Sequence, residues 1–355
     1  MRKPGTYNQG RTFISFGVQR AGLFLVFCWM ASVRLSAQDL SFSQYFHAPL
    51  LVNPANTGFI PDHDYRIGGN YRNQWASVGT PYRTMGAWAD TKLFGDRFET
   101  GWMGIGGSLL RDEAGSGTLV GNTAMLSLAY HQMVGYKSLV SAGFGAGFTN
   151  KRIDISRLNF DNQWNGKFFD VGIPNNEPFN FSSVYYFDLQ AGLNYAWFAS
   201  DRAYFNMGIS VQHLNRPRES FFANNASDYR IDPRFNLFLN ASFKLQDLWI
   251  INPNVYISKK GTATETVLGM VGQRDLTGDG SNQLIAGLYL RNGDAVIPVL
   301  GYEINTIRFT INYDATISSL RNLNGTRGAY EISVIKQGVF PTASGRSIKC
   351  PTVRF

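Results

Sequence analysis

The sequence is short of charge, of cysteine and of long apolar runs. Asp, Glu, Lys and Arg supply 16% of its 355 residues, against roughly a quarter in ordinary globular domains. Its two cysteines are Cys28 and Cys350. Removal of an N-terminal leader would leave only the second, so neither an internal disulfide nor a zinc site of cysteine pairs is expected. Beyond the N-terminus no apolar run reaches the ~18 residues that a membrane helix needs, which excludes a polytopic helical protein. Heptads and a G-X-Y period are also missing, and an aromatic content of 14% argues against disorder.

The excess of positive charge shrinks on inspection. Arg2, Lys3, Arg11, Arg20 and Arg34 lie in the first 37 residues, which hold no acid; removing those five from 33 basic residues leaves 28 against 25 acidic, a net charge of +3. The surplus therefore reports a targeting segment and gives no reason to expect nucleic acid as a partner. Basic residues precede an apolar stretch from Ala21 to Val33, and Leu35-Ser36-Ala37 offers a small residue before a cut at Gln38. Residues 1–37 read as a secretory signal peptide, the alternatives being an N-terminal membrane anchor or lipidation at Cys28.

What is abundant is glycine (37), tyrosine (17) and a two-residue hydrophobic period. Phe187, Leu189, Ala191, Leu193, Tyr195 and Trp197 alternate with polar or small residues, and so do Phe205–Val211, Phe235–Phe243 and Ile307–Tyr313. This is the pattern of strands with one apolar and one polar face. About fourteen such runs follow one another, near 65–75, 82–93, 101–111, 117–132, 138–152, 182–199, 203–214, 230–244, 249–259, 264–274, 283–291, 295–304, 307–316 and 328–337. Long polar connections fall near 153–181 and 215–229.

Two all-β folds suit an exported chain of this size: paired sandwiches, or a transmembrane antiparallel β-barrel. The barrel is favoured because runs of ten or more residues can cross the hydrocarbon layer when tilted. Aromatics also gather at run ends (Tyr185, Tyr186, Trp197, Tyr204, Trp249, Tyr330), as in interfacial girdles. Glycines recur on one face, as in Gly143-Phe144-Gly145-Ala146-Gly147, which suits a crowded or strongly curved wall. A barrel directs its apolar faces to lipid and leaves polar and small residues in the lumen. The expected organisation is a signal peptide over 1–37, a turn-rich N-terminal segment over 38–64, the barrel over 65–337, and a periplasmic C-terminal tail over 338–355. The stretch 42–58, with two prolines, belongs on the periplasmic side or folds into the barrel mouth.

Catalytic chemistry finds little support. G-x-S-x-G and H-E-x-x-H motifs are absent, and no cofactor or metal is expected. His63 falls in a turn-like Pro61-Asp62-His63-Asp64 segment, and His131 and His213 lie at strand ends, where interfacial positions are expected. Asp275-Leu276-Thr277-Gly278-Asp279-Gly280-Ser281 has the look of a calcium loop but lacks the closing glutamate, Ala286 standing there, so a strand-connecting turn is the better account.

The most particular stretches are at the two ends: Asn53-Pro54-Ala55 and Arg72-Asn73-Gln74-Trp75, then Arg291-Asn292-Gly293-Asp294, Tyr313-Asp314-Ala315-Thr316, Tyr330-Glu331-Ile332-Ser333 and the tail Cys350-Pro351-Thr352-Val353-Arg354-Phe355. Together they resemble the PorP/SprF family of outer-membrane proteins of the Bacteroidetes type IX secretion system. The resemblance implies a non-enzymatic barrel in the outer membrane that serves secretion, gliding or surface anchoring of a partner such as an adhesin. It also implies contact with periplasmic or peptidoglycan-linked components. The alternative is a general diffusion channel or small-molecule transporter. Arg72, Asn73, Gln74 and Trp75 are candidates for partner binding if they face inward; a polar lumen network with Trp75 in the interfacial belt is the other reading. Arg346, Lys349, Arg354 and Phe355 in the tail form either a docking peptide or a barrel-sealing segment.

Overall fold

The computed structural model describes residues 42–341 apart from 77–80, 95–99, 116–118, 159, 171, 175–181, 222–228 and 247. The leader, Cys28, Cys350 and the tail residues Arg346, Lys349, Arg354 and Phe355 lie outside the described residues.

The strands are β1 Tyr65–Gln74, β2 Tyr82–Leu93, β3 Gly101–Ala114, β4 Leu119–Val134, β5 Ser138–Ile153, β6 Ser183–Ser200, β7 Ala203–Gln212, β8 Arg234–Leu245, β9 Trp249–Lys260, β10 Ala263–Asp275, β11 Asn282–Arg291, β12 Ala295–Ile304, β13 Ile307–Thr316 and β14 Arg327–Gly338. Each pairs antiparallel with its sequence neighbours, and β1 pairs with β14 from Tyr65↔Gly338 to Gln74↔Ala329, closing a 14-stranded barrel. Closure leaves no strand edge with unpaired amides, the condition for a sheet in hydrocarbon. Among the described residues no helix is long and apolar enough to cross a membrane.

The strands read from alternation coincide with the observed ones to within a few residues. β12 and β13 match at both ends, whereas β8 begins at Arg234, after the expected 230. The alternation also assigns the faces. Leu109, Leu126, Phe148, Leu193 and Ile209 point outward and are exposed, up to 72% for Leu126, while Ser108, Ser127, Thr149, Asn194 and Ser210 point inward and are buried. Trp197 and Trp249 are exposed on the outer wall as a girdle requires. Tyr204 is not: it faces inward and stacks on Phe198 at 5.3 Å. His131 is likewise inward and fully buried, contrary to the interfacial position expected of it.

The two ends of the barrel differ. Tyr65, Gly338 and the short turns after β4, β6, β8, β10 and β12 lie at one end, and the long connections β5–β6 and β7–β8 at the other. Bacterial barrels keep long loops outside and short turns in the periplasm. The end carrying Tyr65 and Gly338 is therefore the periplasmic one. There the residues just past β14 reach back to the start of β1: the Phe340 amide donates to Asp64 Oδ2 at 2.8 Å. The Asp275–Ser281 segment is the β10–β11 turn, as read from the sequence. Its Asp275 carboxylate accepts the amides of Thr277, Gly278 and Gly280 at 2.7–3.0 Å. Hydrogen bonds from the Thr277 and Ser281 hydroxyls hold the Asp279 carboxyl down to about 2.

Candidate functional site: an occluded lumen

The segment placed by sequence on the periplasmic side or in the barrel mouth goes deeper than a mouth. Residues Ser43–Ile60 lie within the barrel and bond to strands around its wall. Three short turns build this inner segment: a 3-10 turn Tyr45–His47, a helical turn Pro49–Val52 and a 3-10 turn Pro54–Asn56. Proline occupies the first position of the latter two, where its missing N–H is harmless, and Asn53 caps the third by accepting the Ala55 amide at 2.9 Å. Sequence periodicity offers no strand or long helix here because the segment has none.

At its start the segment meets a buried charge cluster in the external half of the lumen. The Ser43 hydroxyl donates to Asp314 at 2.8 Å, and the amides of Ser43 and Gln44 donate to the two Glu331 oxygens at 2.8 and 3.1 Å. Arg72 bridges Asp314 at 2.8 Å and Glu331 at 3.3 Å, and its guanidinium also touches the Ser43 hydroxyl. Arg291 reaches Asp314 and Glu265 at 3.0 Å, Asp294 at 3.1 Å and the Ser43 hydroxyl at 2.6 Å. Asp314 is 1% exposed and Glu331 0%. Such charges are tolerated away from water only when paired and hydrogen-bonded, and here the pairing spans β1, β10, β11, β13 and β14. One turn on, Gln44 accepts from the Thr310 hydroxyl at 2.6 Å and donates to Asn312, while His47 Nδ1 lies 3.0 Å from the Ser333 hydroxyl.

An adjoining sector of the inner wall, on β8–β12, departs from the polar lumen expected of a barrel. Phe238, Tyr256, Val267, Val271, Ile285, Tyr289, Ile297 and Val299 form an apolar face, packed by Tyr45, Phe46 and Val52 of the inner segment. Tyr45 stacks on Tyr256 at 4.6 Å and Phe46 on Tyr289 at 5.2 Å. This wall is apolar because a segment of the chain, not water, covers it. The same fact explains why Val296-Ile297-Pro298-Val299-Leu300 of β12 is apolar on both faces.

Further down, backbone meets backbone. Asn53 Nδ2 donates to the carbonyls of Leu193 and Ile209 at 3.0 and 3.1 Å, and the Val52 carbonyl accepts from Ser210 at 2.6 Å. Two inward glycines permit the approach: a Cβ on Gly192 would sit 1.9 Å from Asn53 Oδ1, and one on Gly143 would sit 2.3 Å from the Ala55 nitrogen. Of the glycine run noted in the sequence, Gly143 bears the imprint of the inner segment, whereas a Cβ on Gly145 would meet the Gln190 side chain at 2.5 Å and one on Gly147 the Ala124 carbonyl at 2.1 Å, both within the wall. Gly143→Ala should lower stability by about 1–3 kcal/mol, because backbone on both sides has no room to give. Heat-modifiable mobility in detergent, followed with temperature, measures the loss, and Gly121→Ala, whose Cβ would meet only Lys151 Cγ at 3.7 Å, should unfold with the wild type in that assay.

Near the periplasmic mouth, Asp90 accepts the Gly58 amide at 2.8 Å and a two-pronged contact from Arg66 at 2.8 and 3.0 Å. Trp102 Nε1 donates to the Gly58 carbonyl at 2.9 Å. His131 bridges the Thr57 carbonyl and the Ser141 hydroxyl at 2.8 and 2.7 Å. Phe59 closes the end against Trp102, Leu139, Ala196 and Phe198.

The Arg72–Trp75 quartet divides by parity. Arg72 and Gln74 face inward, 3.4 Å apart, with Arg72 in the charge cluster. Asn73 bonds the Tyr330 hydroxyl at 3.0 Å on the outward side, and Trp75 packs edge-on to Tyr82 at the external rim. Sequence reading missed Ser43, Gln44, Arg291, Asp314 and Glu331 as site residues. The available signal was ionisable residues at inward positions of otherwise apolar strands, a pattern that in a membrane marks function. His213, expected at an interface, pairs with Asp188 at 2.8 Å. Among the described residues no group of three or more His, Cys, Asp or Glu is placed to hold a metal ion.

A closed barrel with an apolar outer wall and a filled lumen defines an outer-membrane β-barrel. The fold is similar to that of the Pseudomonas putida toluene transporter TodX, with a TM-score of 0.51 at 10% identity over 81% of this chain and 92% of that one. A TodX monoaromatic hydrocarbon channel lacking S2 and S3 gives 0.50 at 11% identity, over 81% and 92% of the two chains. The Ralstonia pickettii toluene transporter TbuX gives 0.47 at 11% identity, over 82% and 94%. At such identities the likeness concerns the fold alone. No curated protein matches the chain by sequence. Residues 35–335 match the family described as type IX secretion system membrane protein PorP/SprF, and the chain belongs to that family.

Proposed function

We propose that this type IX secretion barrel is a non-enzymatic anchoring component that acts through its surfaces and not through a pore. On this reading it holds a secreted partner such as an adhesin at the outer membrane and contacts periplasmic or peptidoglycan-linked components of the machinery. The observation that carries it is the filled lumen: Ser43–Ile60 occupies the path a solute would take and is tied to the wall by hydrogen bonds to the buried carboxylates of Asp90, Asp314 and Glu331 and to wall carbonyls. A diffusion channel, the alternative favoured by the likeness to hydrocarbon transporters in fold, would need that segment to leave. The external rim around Trp75 and the tail residues Arg346, Lys349, Arg354 and Phe355 are the proposed partner contacts.

Affinity purification from mildly solubilised native outer membrane should recover a large secreted protein or periplasmic components that an unrelated tagged barrel does not. Deleting 346–355 should reduce that recovery. A barrel reproducibly free of partners would favour the channel, and full recovery after the deletion would end the docking role of the tail.

A further inference from the structure

The outer wall carries a feature that the lumen does not explain. On the outward face of β2–β5, toward the external end, the register sets Ala87 beside Leu109, Leu109 beside Ala124 and Ala124 beside Phe148. The two methyl side chains lie low between larger neighbours and leave an apolar groove of about 580 Å³, flanked by Met85 and Tyr185. A second recess of about 550 Å³ adjoins it on the external side, lined by Arg83, Arg111 and Arg157 with the single carboxylate of Glu113. Arg111 lines both.

The depth of this junction can be read from the strand. A tilted strand crosses the hydrocarbon layer in 9–11 residues, and Arg111 is the eleventh residue of β3. The groove thus lies at acyl-chain level and the arginines at the outer headgroup boundary.

Charge at this boundary is unbalanced. Glu113 is bound by Arg111 at 2.6 Å, and the register places Arg83 opposite the same Glu113. Arg83 has no ion pair among the described residues. Arg157 pairs with Asp154 at 3.2 Å, but both side chains are largely exposed, and such pairs are worth little and exchange readily for a stronger anion. Guanidinium groups offer forked donors that suit phosphate oxygens.

We infer that the β2–β5 wall binds a phosphate-bearing lipid of the outer leaflet, with an acyl chain in the Ala87–Ala124 groove and its headgroup phosphate on Arg83, Arg111 and Arg157. An apolar slot continuous with a cationic recess, both open to the membrane side of the barrel, is complementary to an anionic amphiphile and to neither a solute nor a bare ion.

The test uses the full chain, delipidated in detergent, with diphosphoryl lipid A as the probe and native mass spectrometry as the readout. Wild type should retain one lipid at concentrations where R83Q/R111Q shows at least about tenfold less, the expected loss for two charge-assisted contacts. A124F, which fills the groove without changing charge, should weaken retention similarly and carries the test if the double variant fails to show the folded mobility shift. Diacylglycerol, which has acyl chains and no phosphate, should be retained equally by wild type and R83Q/R111Q. Equal retention of lipid A by all three would overturn the proposal. Loss in R83Q/R111Q alone, with A124F unaffected and inorganic phosphate competing, would assign an anion site and overturn the lipid.

Discussion

Asp314→Ala should destabilise the barrel by about 3–5 kcal/mol, the cost of stripping the partner from buried charges. The Asp314 carboxylate accepts from Ser43, Arg72, Arg291 and Asn312, all at 2.8–3.0 Å and all buried. Its loss leaves two guanidinium groups near one another and removes the tie of Ser43 to β13. Glu331→Gln should cost much less, about 1–2 kcal/mol. An amide oxygen can still accept the amides of Ser43 or Gln44, and Asp314, Glu265 and Asp294 remain to neutralise the arginines. Heat-modifiable mobility in detergent, followed with temperature, separates the two variants. Protease sensitivity near Gln44 should rise in D314A alone. Equal stability of D314A and wild type would mean that the arginines are solvated in the lumen, and the cluster would lose its place as the anchor of the inner segment.

Removing residues 42–60 should turn a sealed barrel into a conducting one. Eight-stranded barrels fill their interior with side chains and 16- to 18-stranded ones leave a channel; an emptied 14-stranded barrel should therefore raise single-channel conductance by at least about tenfold over wild type in planar bilayers. The wild type should give only brief or no openings, since Phe59 and Ile60 close the periplasmic end and the charge cluster holds the external half. Some conductance will be lost to the apolar sector around Tyr256 and Tyr289, which dewets once Tyr45 and Phe46 are gone. Folding of the deleted protein is checked by its mobility shift, because that sector then faces water. Steady conductance in the wild type equal to that of the deletion would overturn the occluded lumen and bring the channel reading forward.

The fold was legible because lipid and lumen write a two-residue period into the chain. Phe187–Trp197 and Ile307–Tyr313 show it without interruption, and the observed strands follow them. The period fades in β10–β12, where Val267, Ile285, Ile297 and Val299 are apolar on the inner face too, and there the turns at 276–281 and 292–294 mark the strand ends. The inner segment was not legible. Its partners are up to 289 residues away in sequence, as Gln44 is from Ser333, and no local pattern encodes such pairings. Its traces were present in another form. Inward glycines at 143 and 192 recorded the close passage of a backbone, and Arg72, Asp90, Arg291, Asp314 and Glu331 recorded charges that must be paired away from water. Tyr204 and His131 misled for a simpler reason: an aromatic near a strand end sits at the interface only if its parity is outward.

The ties from Ser43 and Gln44 to Glu331 also constrain the order of assembly. The segment that fills the barrel is made early, yet its acceptors lie on β14, the last strand to be synthesised, and on β13 beside it. Contacts of such long sequence separation form late because the chain between them must first be ordered. Until β14 adds to β1 there is neither a closed wall nor a complete seat for Ser43. The seat of Ser43 is therefore complete only once the barrel has closed, and a barrel halted before its final strand is an open sheet with that seat unfinished. A lesion at Glu331 or Asp314 would be felt first during membrane insertion, as a slowed last step, before any effect on the finished protein.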